Sequence, residues 1–486
     1  MGCRGTELYA PAMAAWLLAV LVSVTGVTLI LSKRGVAFVI LLALVLMAQN
    51  IATMLLLRFA HVSSGEVQLL LMTKEVLLLV GLSSLALYGF ARAAIHGRLR
   101  IDLVSSLTIL WFALVVLHAV ASGPPWIVRL AGIRAVVLLP SLFLFGRWLA
   151  LSWRDASRLL RVIIVIGIGM AGFGLFEAYV LPESFWLSIG HEEFYLQKID
   201  RPIQNTLYGN MRYWFNGQPV RRVASITGDP LISSYPMAMV IVLLVGYYLT
   251  RARFRPWQLL AIGALGLATA LTLSRGAVLA VAIAVGLNVV AKRSTRLMVA
   301  LTVVVLLAIM ASTAIFGDEI LRVTTGAGHV DQLVDGLRRG IERPLGYGLG
   351  TASSLATGIA RTKSLENLVV GGGDSYMGSI ATQMGLPLMV LFYMLMLLMI
   401  HDLARHYRRL QIAGRKEAWW FGATTGMLAG LLVTSAVNES GVGFVASGTI
   451  FIFAGVLSHL GSLERMRVHH VRVVKAPPTP IGPSSV

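Results

Sequence analysis

The chain has 486 residues, 57% of them hydrophobic and only 13% charged, with a mean hydropathy of +0.79. Soluble domains carry about 25% charged residues, so this balance excludes a soluble globular protein. The net charge of +19 is scattered over many loops rather than gathered on one aromatic-laced surface, which argues against nucleic-acid binding.

In chain order, unbroken apolar runs predict membrane-spanning helices at 11–31, 36–57, 68–90, 103–121, 128–151, 159–181, 231–249, 257–273, 276–291, 297–316, 375–400, 418–437 and 441–460. The fold class is therefore an all-α polytopic membrane protein of twelve or thirteen spans, with 1–486 forming one integral membrane domain. Runs that do not alternate exclude a β-barrel. The first run has the length of a span and only Arg4 before it, unlike a cleaved signal. The single Cys3 rules out an internal disulfide and a thiolate metal site.

Basic residues orient the bundle. Short loops at 33–35, 92–100, 147–161, 251–255, 292–296 and 402–416, with the tail from 464, hold 24 of the 41 Lys and Arg. They alternate with sparsely charged turns, such as 122–125 and 438–441. The bias of Lys and Arg toward the cytoplasm puts the basic set and the 464–486 tail inside, where they meet anionic lipid. Ala476-Pro477-Pro478-Thr479-Pro480 in that tail reads as a disordered end.

Two long segments, 182–230 and 317–374, then fall outside. The first holds Lys198, Arg201, Arg212, Arg221 and Arg222, with Trp186, Phe194, Tyr195, Tyr208, Tyr213, Trp214 and Phe215. The second holds Arg322, Arg338, Arg339, Arg343, Arg361 and Lys363. Long loops escape the charge bias, so these cations read either as solvated surface or as an anion-binding set. The aromatics read either as headgroup anchors or as stacking faces for sugar rings.

Arg275 lies in Leu273-Ser274-Arg275-Gly276-Ala277, a tight outer turn between two spans. A guanidinium stays charged, so at membrane depth it needs an anion or water. It either snorkels to headgroups or grips an anionic substrate.

Other polar residues have local readings. Lys74 and Glu75, inside the third span, neutralise one another with intramembrane neighbours. Arg129 and Arg134, near the outer end of the fifth, divide between lining a cavity and snorkelling. Glu192, Glu193 and Asp229 are candidate bases or solvated carboxylates. Asp331 and Asp335 share one face of an amphipathic helix expected at 329–342 on the membrane surface. Gly346, Gly348 and Gly350 lack the strand, spacing and location of a nucleotide loop.

Three stretches carry a family resemblance. They are Arg222-Val223-Ala224-Ser225-Ile226-Thr227-Gly228-Asp229-Pro230, the Ser274-Arg275-Gly276 turn, and a segment from Arg343-Pro344-Leu345-Gly346-Tyr347-Gly348-Leu349-Gly350 to Asp374-Ser375-Tyr376 and Gly385-Leu386-Pro387. In order and placement they resemble the O-antigen polymerase and ligase superfamily of bacterial envelope membrane proteins, over roughly 200–460. The resemblance implies a membrane glycosyltransferase of type-C-like fold in the inner membrane, working on its periplasmic face. It implies an inverting, metal-independent transfer from a polyprenyl-diphosphate-linked oligosaccharide, with no cofactor. Arg222 and Arg275 match the family's diphosphate-binding arginines, with Arg221 beside them; fixed cations there stabilise the leaving diphosphate. Arg343, Tyr376 and Arg338 are further candidate substrate contacts, and a chain-length regulator and a flippase are expected partners besides membrane lipids.

The attacking sugar hydroxyl needs a base or an orienting acceptor, for which Asp374 and Asp229 are the candidates. Ligases, which move finished polysaccharide onto lipid A core, carry a histidine where this chain has Asp374; the nearest upstream histidine in the loop is His329. That departure favours polymerase over ligase. Asp374, directly before an apolar helix, reads equally as its N-cap. A transporter or flippase is the competing class, but no repeat of broken helices in two matching halves is legible.

Overall fold

The computed structural model describes residues 9–60, 64–96, 102–199, 211–215, 218–251, 256–308, 327–352, 375–436, 438 and 443–474. Helices stand at all thirteen predicted spans. The first six are α1 (Tyr9–Leu31), α2 (Gly35–Ala60), α3 (Ser64–His96), α4 (Leu103–Ala121), α5 (Trp126–Trp148) and α6 (Trp153–Tyr179). The first long segment, expected only as loop, has structure of its own. It contains α7 (Ser184–Ser188), α8 (His191–Ile199), strands β1 (Arg212–Phe215) and β2 (Gln218–Arg221), and a 3₁₀ turn at Ser225–Thr227. The strands form an antiparallel hairpin with Arg212 opposite Arg221, a small departure from an all-helical chain.

Helices α9 (Pro230–Arg251), α10 (Pro256–Leu271), α11 (Arg275–Arg293) and α12 (Thr295–Ala308) follow. The amphipathic helix of the second long segment is α13 (Ala327–Glu342), and the chain closes with α14 (Tyr376–Ile412), α15 (Ala418–Thr434) and α16 (Phe444–Val474). Among the described residues, six helices (α2, α4, α5, α6, α9 and α14) are long and apolar enough to cross a membrane by length and composition. Leu79, Leu87, Leu110, Leu117, Val165 and Leu260 stand exposed on helix faces, as lipid-facing side chains do. The whole fits a polytopic membrane protein.

Close helix contacts depend on small residues. Without a hydrophobic drive between helices in lipid, association relies on backbone proximity and interhelical hydrogen bonds. Gly422, Gly426 and Gly430 recur every fourth residue on α15; a Cβ on Gly426 would strike the Ala284 carbonyl of α11, and one on Gly430 the Ala280 carbonyl. Gly146 of α5 and Gly455 of α16 meet the Ile452 and Phe143 carbonyls in the same way. Thus α11, which begins at Arg275, is fixed by a glycine seam.

At the end of the bundle assigned to the cytoplasm, Arg147 of α5 is buried in an ionic knot. Its Nε donates to Asp102 Oδ2 at 3.0 Å, its Nη1 to Ser458, and Asp402 lies 3.5 Å away. Asp102 also caps α4, accepting from Val104 and Ser105 N–H. One guanidinium therefore ties α4, α5, α14 and α16.

α14 is not the single straight span predicted. Gly385 has φ 80° and ψ 166°, and the Arg343–Gly350 loop docks on the break. Tyr347 N–H donates to Thr382 O at 2.9 Å and Gly348 N–H to Gln383 O at 3.0 Å, satisfying carbonyls that the break releases. The Gln383 side chain accepts from Gly350 N–H at 2.7 Å. A residue with Cβ at Gly385 would strike the Pro344 carbonyl. The proline–glycine loop and the Gly385-Leu386-Pro387 segment, separate in sequence, are one structural unit.

Enlarging the glycine seam is expected to be costly. Gly426→Leu should destabilise the fold by about 1–3 kcal/mol through overpacking, seen as a lower unfolding midpoint of the detergent-purified protein. An unchanged midpoint would contradict the α11–α15 contact.

Candidate functional site

The Arg222 and Arg275 segments converge at the end of the bundle assigned to the outside. Val223 N–H donates to Leu271 O at 3.1 Å, and Arg222 Nε donates to Thr272 O at 2.7 Å. Arg222 is buried, so its charge is directed inward onto the turn that presents Arg275. Arg275 itself is exposed, at the first residue of α11. The turn has unfavourable features: Leu273 adopts φ 52°, which costs a side-chain-bearing residue about 1–2 kcal/mol. A cation at a helix N-terminus also opposes the helix dipole, by roughly 0.3–1 kcal/mol.

Glu177, in the last turn of α6, organises the other half. It was not among the sequence candidates. Fully buried, it accepts from Ala224 N–H at 3.1 Å, Ser225 N–H at 2.6 Å and Trp186 Nε1 at 2.9 Å. Arg221 Nη2 lies 3.7 Å from the same carboxylate, and Arg221 Nη1 donates to Leu181 O at 2.8 Å. A single acidic residue in an apolar helix end was the readable clue, because an unsatisfied carboxylate there would be prohibitively costly.

Asp229 departs from the expectation of a solvated outer carboxylate. It is buried; Oδ1 accepts from Leu231 N–H at 2.9 Å and Ile232 N–H at 3.3 Å, which caps α9, and Oδ2 accepts from the Tyr195 hydroxyl at 3.3 Å. Burial first, and then Asp229, push the Tyr195 phenol well above its usual range against the opposing pull of Arg222, so the phenol stays protonated. Asp229 is thus a structural anchor of the loop, and Tyr195 lies in the field of both Asp229 and Arg222.

Asp374 lies outside the described residues, as do Arg201, Tyr208, Arg322, Arg361, Lys363 and the tail segment Ala476–Pro480. The capping role considered for Asp374 belongs to its neighbour. Ser375 is the N-cap of α14, its Oγ accepting from Gly378 N–H at 3.0 Å and donating to Ala436 O at 2.6 Å. Tyr376 is buried, with its hydroxyl donating to Ala135 O at 2.8 Å, so it braces α14 on α5.

The remaining candidates are dispersed. Arg343 stacks 4.3 Å over the Tyr347 ring, and Arg338 pairs with Glu342 at 3.0 Å on the exposed face of α13. Asp331 and Asp335 share that exposed face, while Leu333, Gly336 and Gly340 are buried, Gly336 and Gly340 lying against α14. Glu193 pairs with Arg58 at 2.7 Å, and Arg212 with Glu183 at 2.6 Å. Lys74 and Glu75 do pair, at 3.4 Å, and Arg134 joins them 2.6 Å from Glu75. Arg129 binds the Pro124 and Ala119 carbonyls at the end of α4, so it caps a helix rather than lining a cavity.

No protein-family model matches the chain, and no curated protein matches it.

Glu177→Gln would turn one acceptor oxygen into a donor facing N–H groups. The expected cost is about 2 kcal/mol, concentrated in the 221–225 loop, so trypsin should cleave after Arg221 and Arg222 faster than in wild type. Equal cleavage rates would show that the carboxylate does not hold the loop.

Proposed function

We propose that the chain polymerises polyprenyl-diphosphate-linked oligosaccharide repeat units into a surface polysaccharide, by inverting, metal-independent glycosyl transfer on the periplasmic face of a bacterial inner membrane. The observation that carries this reading is the Arg222–Thr272 hydrogen bond, which joins two arginine segments fifty positions apart into one cationic element. The resemblance of those segments to the O-antigen polymerase and ligase superfamily supplies the chemistry.

In this reading Arg275 and Arg222 stabilise charge on the departing lipid diphosphate, where preorganised cations act most strongly. Arg221 is fastened to Glu177 and serves to position the loop. Asp374 orients or deprotonates the attacking hydroxyl. The N-cap of α14 is Ser375. Asp229 is assigned to anchoring rather than to proton transfer. Polymerase is preferred to ligase because a histidine is lacking at position 374.

Arg275→Lys should abolish most polymer at unchanged protein level, because lysine lacks the bidentate fork; near-normal polymer would return Arg275 to a lipid anchor. Asp374→Asn should likewise stop polymerisation without lowering the unfolding midpoint, and wild-type chain lengths from that variant would remove Asp374 from the mechanism. A deletion strain should accumulate single repeat units. Full-length polymer left on its carrier would instead indicate a ligase, and repeat units trapped inside would indicate a flippase.

A further inference from the structure

The start of α11 brings together two buried hydroxyls that make no hydrogen bond within the fold. Ser274 sits at the N-cap position with φ −88° and ψ 92°, yet its side chain makes no capping bond. Its Oγ is buried and without a hydrogen-bond partner, and Ser274 is 2% exposed. The hydroxyl of Tyr235, from α9, is also buried and unpartnered, and Tyr235 is 0% exposed. A Cβ on Gly276 would lie 2.6 Å from that hydroxyl and 2.8 Å from Asn438 Nδ2, so both polar groups face the first turn of α11. Buried polar groups without partners are rare, and two in one place, next to a positive-φ leucine and an arginine at the positive end of a helix dipole, break the local rules together. Each departure disfavours the folded helix, and the two hydroxyl donors and the cation favour an anion at that point.

We propose that Tyr235 and Ser274 are positioning residues for a phosphoryl group held at the N-terminus of α11. Both hydroxyls donate to one phosphoryl oxygen while Arg275 balances the charge from the exposed side. Gly276 packs directly against the Tyr235 hydroxyl and Asn438, so any side chain there would strike both. This rests on the polymerase reading only for the identity of the phosphoryl group, a lipid-borne diphosphate. The anion site itself follows from the side chains.

The test uses the full chain in nanodiscs, with Tyr235→Phe and Ser274→Ala and three probes: a polyprenyl diphosphate, inorganic pyrophosphate and phosphatidylglycerol. Removing a hydroxyl with no protein partner should leave the unliganded unfolding midpoint equal or higher, while polyprenyl diphosphate binds about tenfold more weakly to each variant. Binding as tight as wild type in both variants would overturn the proposal. So would a midpoint several degrees lower in both, because the hydroxyls would then be structural. If wild type takes pyrophosphate or phosphatidylglycerol but no polyprenyl diphosphate, and the variants lose that binding, the anion site stands and the polymerase reading falls. If wild type takes none of the three, both fall.

Discussion

The buried carboxylate of Glu177 is the interaction on which the end of the bundle carrying Arg222 and Arg275 depends. A charge with no water around it must be met by donors, and here the donors are the backbone N–H groups of Ala224 and Ser225 and the indole of Trp186. Because the partners are mainly backbone, the carboxylate fixes a path for the chain. That path carries Arg222 across to the Leu271–Thr272 carbonyls. Ser225 adopts φ 53° on the way, a conformation that surrounding bonds must hold in place. Asn50 of α2 adds a bond to Thr227 O at 2.8 Å, so the loop is gripped from two helices.

The same constraint explains the break in α14. Irregular backbone at membrane depth is tolerated only where protein satisfies it. The Arg343–Gly350 loop does so with its N–H groups, and His118 of α4 lies 3.1 Å from the Gln383 carbonyl with a ring nitrogen. The Arg222–Val223 and Arg343–Gly350 segments are thus closed onto their helices by hydrogen bonds to helix-terminal or helix-break carbonyls. Elsewhere the helices meet through glycine seams, where the backbones are close and little can shift.

Much of the helix pattern was legible, because long apolar runs persist in lipid only as helices whose polar groups are satisfied; six of the described helices are long and apolar enough to cross a membrane. The pairing of Lys74 with Glu75 was legible for the same reason: charges at that depth need partners. What escaped were features that depend on tertiary pairing. The amphipathic pattern identified α13, but nothing in periodicity reveals that α7, α8 and a hairpin lie between α6 and α9. Asp229 looked like a loop carboxylate because the Asp-Pro that opens α9 is also a helix start, with the aspartate as its cap. Glu177 gives little separate signal, because an apolar run with one acid still reads as a span, whereas the glycines at 422, 426 and 430 form a spacing visible in the sequence itself.

The cations of this chain divide by what the fold does with them. Arg147 is buried between Asp102 and Asp402, Arg129 closes the end of α4, and Arg134 neutralises Glu75. Each is fastened to groups that would otherwise be left unsatisfied, so each is accounted for by stability. Arg275 differs in place rather than in kind. A helix start asks for an acceptor or an anion, and here it receives an arginine, a serine that does not cap, and a buried phenol with no protein partner. Stability alone would select against that combination. It becomes coherent if an oxygen-bearing group from outside the chain meets the two unpartnered hydroxyls.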